Sequence, residues 1–321
     1  MKIAEIPATN LDAKEFIRKK AREIAETVGD GSAITALSGG VDSSVVTMLG
    51  HMGLGAKLKA CFIDNGLMRQ DEPQAVVRIF RRLGIHVEVL DARKAFFDAL
   101  KGIRDPEEKR EAITQTFYKK VFGSLFKGSG ARFLLQGTIL TDVEETVAGV
   151  KRQHNVLAQL GIDPQEAFGY RVIEPLLQLR KDGVRKVAKA LGLPVTVYKR
   201  MPFPGPALAA RVVGEASPER IELVRKATAI VEAQLKGSRA FQYMAILHED
   251  RFAGMRDGKR DFGTQIEIRC WRSVDARTAK PVWLAPRTLQ RLARRLTADI
   301  PGVVSVTYNI ATKPPSTMEA V

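Results

Sequence analysis

Cysteine is nearly missing from this chain: Cys61 and Cys270 are the only two in 321 residues. Two thiols cannot build a disulfide framework or, by themselves, a zinc site. They lie 209 positions apart (270 − 61), so no CxxC pair exists either. Long apolar runs are also lacking, and none approaches the roughly 18 residues that a membrane span requires. The N-terminal stretch MKIAEIPATNLDAKEF carries acidic residues where a secretory signal would have its apolar centre. These absences give the expectation of a cytoplasmic protein with no membrane association. No internal repeat, low-complexity tract or basic tail is visible. What is present is an ordinary globular composition, 45% hydrophobic and 27% charged. The net charge of +15 is spread along the chain. It suits polyanions such as nucleotides, but equally a solvated basic surface. No nucleic-acid partner is expected on this ground alone. The length favours two domains, each with its own core.

From Ser32 to about Leu193, short β-branched runs alternate with helical patterns. The segments 32–37, 57–64, 85–91 and 131–137 read as strands. Helices are expected from Val41, over 72–83 and through the charged stretch 105–126. This alternation predicts an α/β fold with a doubly wound parallel sheet, whose ligands sit beyond the carboxyl ends of the strands. The pattern stops at MPFPGPAL (201–208), where three prolines and a glycine leave an irregular segment. Beyond it, a helix over 218–235, strands over 241–249 and 264–271, a helix over 287–298 and a strand over 302–310 predict a smaller α+β domain. The expected boundaries are 1–200 and 201–321.

The sharpest local signal is Ser38-Gly39-Gly40-Val41-Asp42-Ser43-Ser44, which leaves the first strand and opens the first helix. The two glycines allow a tight turn whose amides can approach an anion. The helix start adds a partial positive charge, and the hydroxyls of Ser38, Ser43 and Ser44 could add donors. A Walker loop is excluded, because its GK[ST] lysine is absent. The plain structural alternative is a Gly-Gly turn with Ser/Asp capping of the helix.

SGGVDSS resembles the pyrophosphate loop of the N-type ATP pyrophosphatases, which cleave ATP between its α and β phosphates and adenylate an acceptor oxygen. CFIDNGLMRQDE (61–72), LLQGTILTDVEET (134–146), EPLLQLRKDGVRKVAKALGLP (174–194), RMPFPGPALAARVVGE (200–215), DGKRDF (257–262), IEIRCWRSVDARTA (266–279) and TKPPSTME (312–319) are similar to segments of the GMP synthetase ATP-pyrophosphatases. The resemblance runs from about residue 15 to 319. It implies a nucleotide-hydrolase-like α/β domain and a C-terminal domain that pairs two subunits. It also implies ATP and Mg²⁺ as cofactors, with xanthosine monophosphate (XMP) and ammonia as substrates. By this resemblance residues 38–44 and Gly137 hold ATP, Asp42 meets Mg²⁺, and Lys181 adds charge at the pyrophosphate. Lys151, Gln153, His154 and Asn155 fall on a lid segment that closes over the nucleotides, and Asp142 and Glu145 become candidates for ordering that lid or the substrate base. Arg200, Pro204, Gly205, Lys313 and Glu319 would bind XMP. Without the match, Lys181 reads as a surface lysine, His154 as structural, and Asp142 with Glu145 as a solvated acidic face.

Departures from the family pattern gather around the acceptor. Gln153 stands where the family has histidine, and Met201, Ala207 and Ala209 replace a histidine and two glycines. The terminal IEWE becomes MEAV. A divergent relative that activates another carbonyl therefore stays open, since fold and motif do not fix substrate. A tRNA-thiolating pyrophosphatase would share the loop, but such enzymes generally use CxxC motifs or a cysteine pair. Only 37 residues precede Ser38, too few for a glutaminase domain. A separate class-I glutamine amidotransferase subunit, or free ammonia, is the expected nitrogen source.

Overall fold

The computed structural model describes residues 3–147, 169–256, 258–274 and 276–320. Its first sheet is built around β1 (Ala33–Leu37), whose side chains are buried on both faces, as in a parallel sheet covered on two sides. Beside it run β2 (Leu58–Asp64), β3 (Val87–Asp91), β4 (Phe133–Leu135) and β5 (Arg171–Ile173). All neighbours are parallel, in the order β3-β2-β1-β4-β5. The strand order reverses at β1, so the crevice beyond the ends of β1 and β4 is the topological switch point. This is the doubly wound sheet that the alternating pattern predicts.

Helices α1 (Ala13–Val28), α2 (Val41–Leu54) and α3 (Glu72–Arg82) come next in the order of the chain. The Asp12 carboxylate caps α1 by accepting from the amides of Lys14 and Glu15, which satisfies two donors at the helix start. α2 is buried on most of its surface. The predicted helix over 105–126 is not continuous. It comprises α5 (Pro106–Gln115), a π-helical segment over Thr116–Phe122 and α6 (Gly123–Ser129), after a separate α4 (Arg93–Leu100). α7 (Leu140–Val147), α8 (Lys181–Ala190) and α9 (Val195–Tyr198) complete the helices before Arg200 among the described residues.

The chain divides into two compact units. The first holds Met1–Asp64, Glu72–Ala92 and Phe117–Arg200; the second holds Asn65–Asp71, Arg93–Thr116 and Met201–Val321. Residues 65–71 and 93–116, expected with the first domain, thus belong to the second unit. One cause is Lys109 of α5, which is 1% exposed. Its ammonium donates to the carbonyls of Val212 (2.7 Å) and Gly214 (3.0 Å). Burial, helped by nearby Arg220, pulls that ammonium down to about 8, so the two carbonyls are what make its burial tolerable.

The second unit carries a long antiparallel hairpin, β6 (Gln242–Arg256) and β7 (Lys259–Arg272). β8 (Lys280–Pro281) pairs antiparallel with the end of β7, and β9 (Val303–Tyr308) pairs parallel with residues 264–268. α10 (Pro218–Leu235) and α11 (Pro286–Asp299) accompany this sheet. Each strand of the hairpin reaches well past the segment that its apolar alternation predicts. No helix among the described residues is long and apolar enough to cross a membrane.

Candidate active site

The loop 38–44 leaves β1 at the switch point and becomes the first turn of α2. Its internal bonds fix its shape. The Ser38 hydroxyl accepts from the Gly40 amide (3.3 Å) and lies 3.1 Å from the Ser43 hydroxyl. Ser43 accepts from the Ser38 amide (3.2 Å), and the Ser43 and Ser44 hydroxyls donate to the Gly40 carbonyl at 3.2 and 2.8 Å. Ser44 is fully buried. The three serines expected as anion donors are thus engaged in ordering the loop. The first intrahelical bond runs from the Ser44 amide to the Gly40 carbonyl (3.1 Å). The amides of Val41, Asp42 and Ser43 precede it and have no intrahelical acceptor, which makes this an anion-facing helix start.

Two glycines are required here for steric reasons. Gly39 has φ +72°, and a Cβ there would stand 2.7 Å from Arg200 Nη1 and 3.0 Å from Glu72 Oε1. Gly137, just beyond β4, lies so close that a Cβ would be 3.0 Å from the Asp42 carbonyl carbon and 3.1 Å from the Ser43 nitrogen. The QGT segment therefore packs its backbone against the loop.

Asp42 Oδ2 accepts from Lys181 Nζ at 2.5 Å. Its other oxygen, Oδ1, is buried with no hydrogen-bond partner. An orphaned carboxylate oxygen at an anion-facing turn fits a bound cation, because leaving it unmade costs about 1–3 kcal/mol. Among the described residues no group of three or more His, Cys, Asp or Glu could hold a metal ion alone. The donor set therefore suits Mg²⁺, which takes one or two carboxylates and completes its shell with phosphate oxygens and water.

Lys181 opens α8, and the residue before it fixes that helix start. Arg180 makes a bidentate bridge to Glu144 (2.9 and 2.6 Å) and bonds Glu5 through Nε (3.0 Å). None of these three residues is evident from sequence spacing, since the partners are 36 and 175 positions away. Asp142 accepts from the Ile139 amide (2.9 Å) at the start of α7, so it caps that turn. Glu145 follows on α7, with only its backbone described. Lys151, Gln153, His154 and Asn155 lie outside the described residues.

Arg200, expected at the acceptor with Pro204 and Glu319, makes contacts with the 38–44 loop. It belongs to the first unit, donates to the Gly39 carbonyl (2.7 Å) and forms an ion pair with buried Glu72. It is thus a brace of the loop. Its neighbours in sequence, Pro204 and Gly205, lie in the second unit.

Within that second unit, Phe203 is flanked by two guanidinium groups, Arg69 at 3.9 Å and Arg211 at 4.9 Å from the ring centroid. Arg211 is fully buried, meets Glu319 through Nε (3.3 Å), and leaves Nη1 and Nη2 without partners. Gln242 donates to the other Glu319 oxygen (2.8 Å) and to the Pro202 carbonyl (3.3 Å). Arg69 is paired with Glu232 (2.7 Å), and Arg225 binds the carbonyls of Met68 (2.9 Å) and Gly66. Glu319 and the PFPGP segment therefore share one polar cluster. Sequence reasoning misses Arg69, Arg211 and Gln242: Arg69 and Gln242 lie far along the chain from Phe203, and Arg211, eight positions after it, shows nothing beyond its charge. Lys313 stands apart from the cluster. Its backbone bridges Ala279, and its ammonium donates to the Ala276 carbonyl (2.8 Å). Ala207 keeps φ +55°, the left-handed conformation that a glycine in its place would adopt without penalty.

Both cysteines are buried. Burial pushes the Cys61 thiol up to about 12 and the Cys270 thiol up to about 11, which leaves no thiolate near neutral pH.

Residues 229–320 match the family model described as GMP synthase C terminal domain. The chain is 46% identical over 309 residues to the B subunit of the glutamine-hydrolyzing GMP synthase of Pyrococcus furiosus, covering 95% of this chain and 97% of that protein. It is 44% identical to the protein of the same name in Archaeoglobus fulgidus, covering 96% and 99%. A solved NH3-dependent NAD synthetase from Campylobacter jejuni aligns at 16% identity and a TM-score of 0.45, over 61% of this chain and 80% of that one.

Proposed function

The chain belongs to the family of GMP synthase B subunits, and from that premise we propose that it is the ATP-pyrophosphatase half of a two-part GMP synthetase. In this reading it adenylates XMP with ATP and replaces the adenylate with ammonia, releasing GMP, AMP and pyrophosphate. The observation that carries it is the Asp42–Lys181 pair, 2.5 Å apart at the mouth of the 38–44 turn. That turn offers amides and a cation to pyrophosphate and leaves the α-phosphorus open to an acceptor oxygen.

The chemistry needs charge neutralisation and alignment more than proton transfer. The amides of 41–43 and the Lys181 ammonium receive the departing β,γ unit. Asp42 would hold Mg²⁺, which neutralises phosphate charge when bound. The purine 2-oxygen attacks the α-phosphorus and pyrophosphate leaves. Ammonia then attacks C2, AMP departs, and a proton is released. Glu319 and Lys313 would hold XMP, Glu319 at base or sugar and Lys313 at the 5′-phosphate. The relatives' name includes glutamine hydrolysis. Both thiols of this chain are buried and protonated, so a separate glutaminase would supply the ammonia. A homodimer in the cytoplasm completes the proposal.

Incubation with ATP, Mg²⁺, XMP and ammonium at alkaline pH should yield AMP, pyrophosphate and GMP in equal amounts. ADP and orthophosphate, or AMP formation indifferent to XMP, would overturn the assignment. Salt-sensitive tRNA binding with sulfur incorporation would favour the thiolation reading instead. For Lys313→Ala we expect the KM for XMP to rise about tenfold, the loss of one charge-assisted bond, with the KM for ATP unchanged. Equal loss of both would remove Lys313 from the acceptor site.

A further inference from the structure

β7 carries Glu267 and Arg269, two positions apart and therefore on one face of the strand. They are 8% and 9% exposed. Arg269 Nε donates to Glu267 Oε1 at 2.5 Å. The other Glu267 oxygen meets His248 Nε2 of β6 (2.8 Å), and Asn309 Nδ2 is a second donor to Oε1 (3.0 Å). Burial would raise this carboxyl, yet the bonds from His248, Arg269 and Asn309 bring it down to about 2. The carboxylate is thus a fixed anion that orients the guanidinium.

The far side of Arg269 faces the end of the chain. Its Nη1 donates to the carbonyls of Thr317 (2.9 Å), Met318 (3.4 Å) and Glu319 (3.2 Å). These three carbonyls belong to an irregular segment outside every strand and helix. Met318 and Ala320 pack on a buried cluster of Met244, Ile246, Trp271 and Ala279, and that apolar contact fixes depth but not rotation. Rotation of the segment decides where the Glu319 carboxylate points, and here it points to Gln242 and Arg211.

We infer that Arg269, oriented by Glu267, is a positioning residue that sets the Glu319 carboxylate for acceptor binding. This rests on the proposal that Glu319 contacts XMP. A planar guanidinium is needed, because one fork must serve a carboxylate and a row of carbonyls together. A lysine could keep the ion pair with Glu267 but not span both.

Arg269→Gln and Arg269→Lys should be measured beside the wild type by steady-state kinetics and by amide exchange over residues 317–320. For Arg269→Gln we expect the KM for XMP to rise about tenfold to a hundredfold, the range for one or two charged hydrogen bonds. The KM for ATP should stay within about twofold, and exchange over the segment should accelerate by a similar factor to the rise for XMP. Arg269→Lys retains the buried ion pair and so guards against a variant that fails to fold. It should show the same split at smaller size. An unchanged KM for XMP, unchanged protection, or an equal rise for both substrates in the lysine variant would overturn the positioning role. Absence of XMP-dependent AMP formation in the wild type would instead overturn the acceptor reading, while the exchange measurement still decides whether Arg269 holds the segment.

Discussion

Asp42→Asn is expected to lower XMP-dependent AMP formation by about 10²–10³-fold, the range for removing one group that meets charge in a transition state. The substitution preserves size and hydrogen-bonding shape, so the loop should keep its form. What it removes is the negative charge that pairs with Lys181 and would receive a cation through Oδ1. The stability of the protein without nucleotide should behave oppositely to its activity. A buried oxygen with no partner is already unfavourable in the native state, and a neutral amide is less costly to bury. The bridge to Lys181 offsets little, since lysine there is about half exposed. The thermal midpoint of Asp42→Asn should therefore equal or exceed that of the wild type. A variant of normal rate would remove Asp42 from the metal role; a variant that loses activity and several degrees of midpoint together would make Asp42 structural.

The loop was legible because its requirements are local. A strand end, a positive-φ glycine and a helix start must follow one another, and SGGVDSS states all three within seven residues. The parallel sheet was legible for a similar reason, as β1 and β2 are apolar runs with helices after them. β5 was not, because three residues carry no period and only pairing with β4 makes Arg171–Ile173 a strand. The break in the helix over 105–126 comes from a π-helical turn at 116–122 that leaves composition unchanged. The second unit hides best of all. Arg69 and Phe203 meet across 134 positions (203 − 69), and no spacing rule brings such residues together. Arg200 shows another limit of spacing. Its place beside PFPGP suggests the acceptor, and nothing in that spacing announces that its long side chain reaches the Gly39 carbonyl.

That contact leads to the second large effect, Gly39→Ala. We expect the KM for ATP to rise at least about tenfold, and AMP formation to fall with it. Two costs combine at this position. An L-residue held at φ +72° is strained by about 1–2 kcal/mol. The new methyl would also stand 2.7 Å from Arg200 Nη1, 3.0 Å from Glu72 Oε1 and 3.1 Å from Val76 Cγ2. Neither charged group can withdraw freely, because each is the other's partner and Arg200 also holds the Gly39 carbonyl. The loop must therefore yield, and the amides of 41–43 lose their common aim. Gly55→Ala separates the two costs. Gly55 ends the same helix at φ +53°, and a methyl group added there would meet nothing within 4 Å. It should lose about 1–3 kcal/mol of stability by strain alone, with the KM for ATP unchanged. If the two variants raise that KM equally, the crowding at Gly39 is irrelevant and Arg200 is no brace. If only Gly39→Ala does, the glycine is there to let an arginine and a glutamate close behind the turn that receives the phosphates.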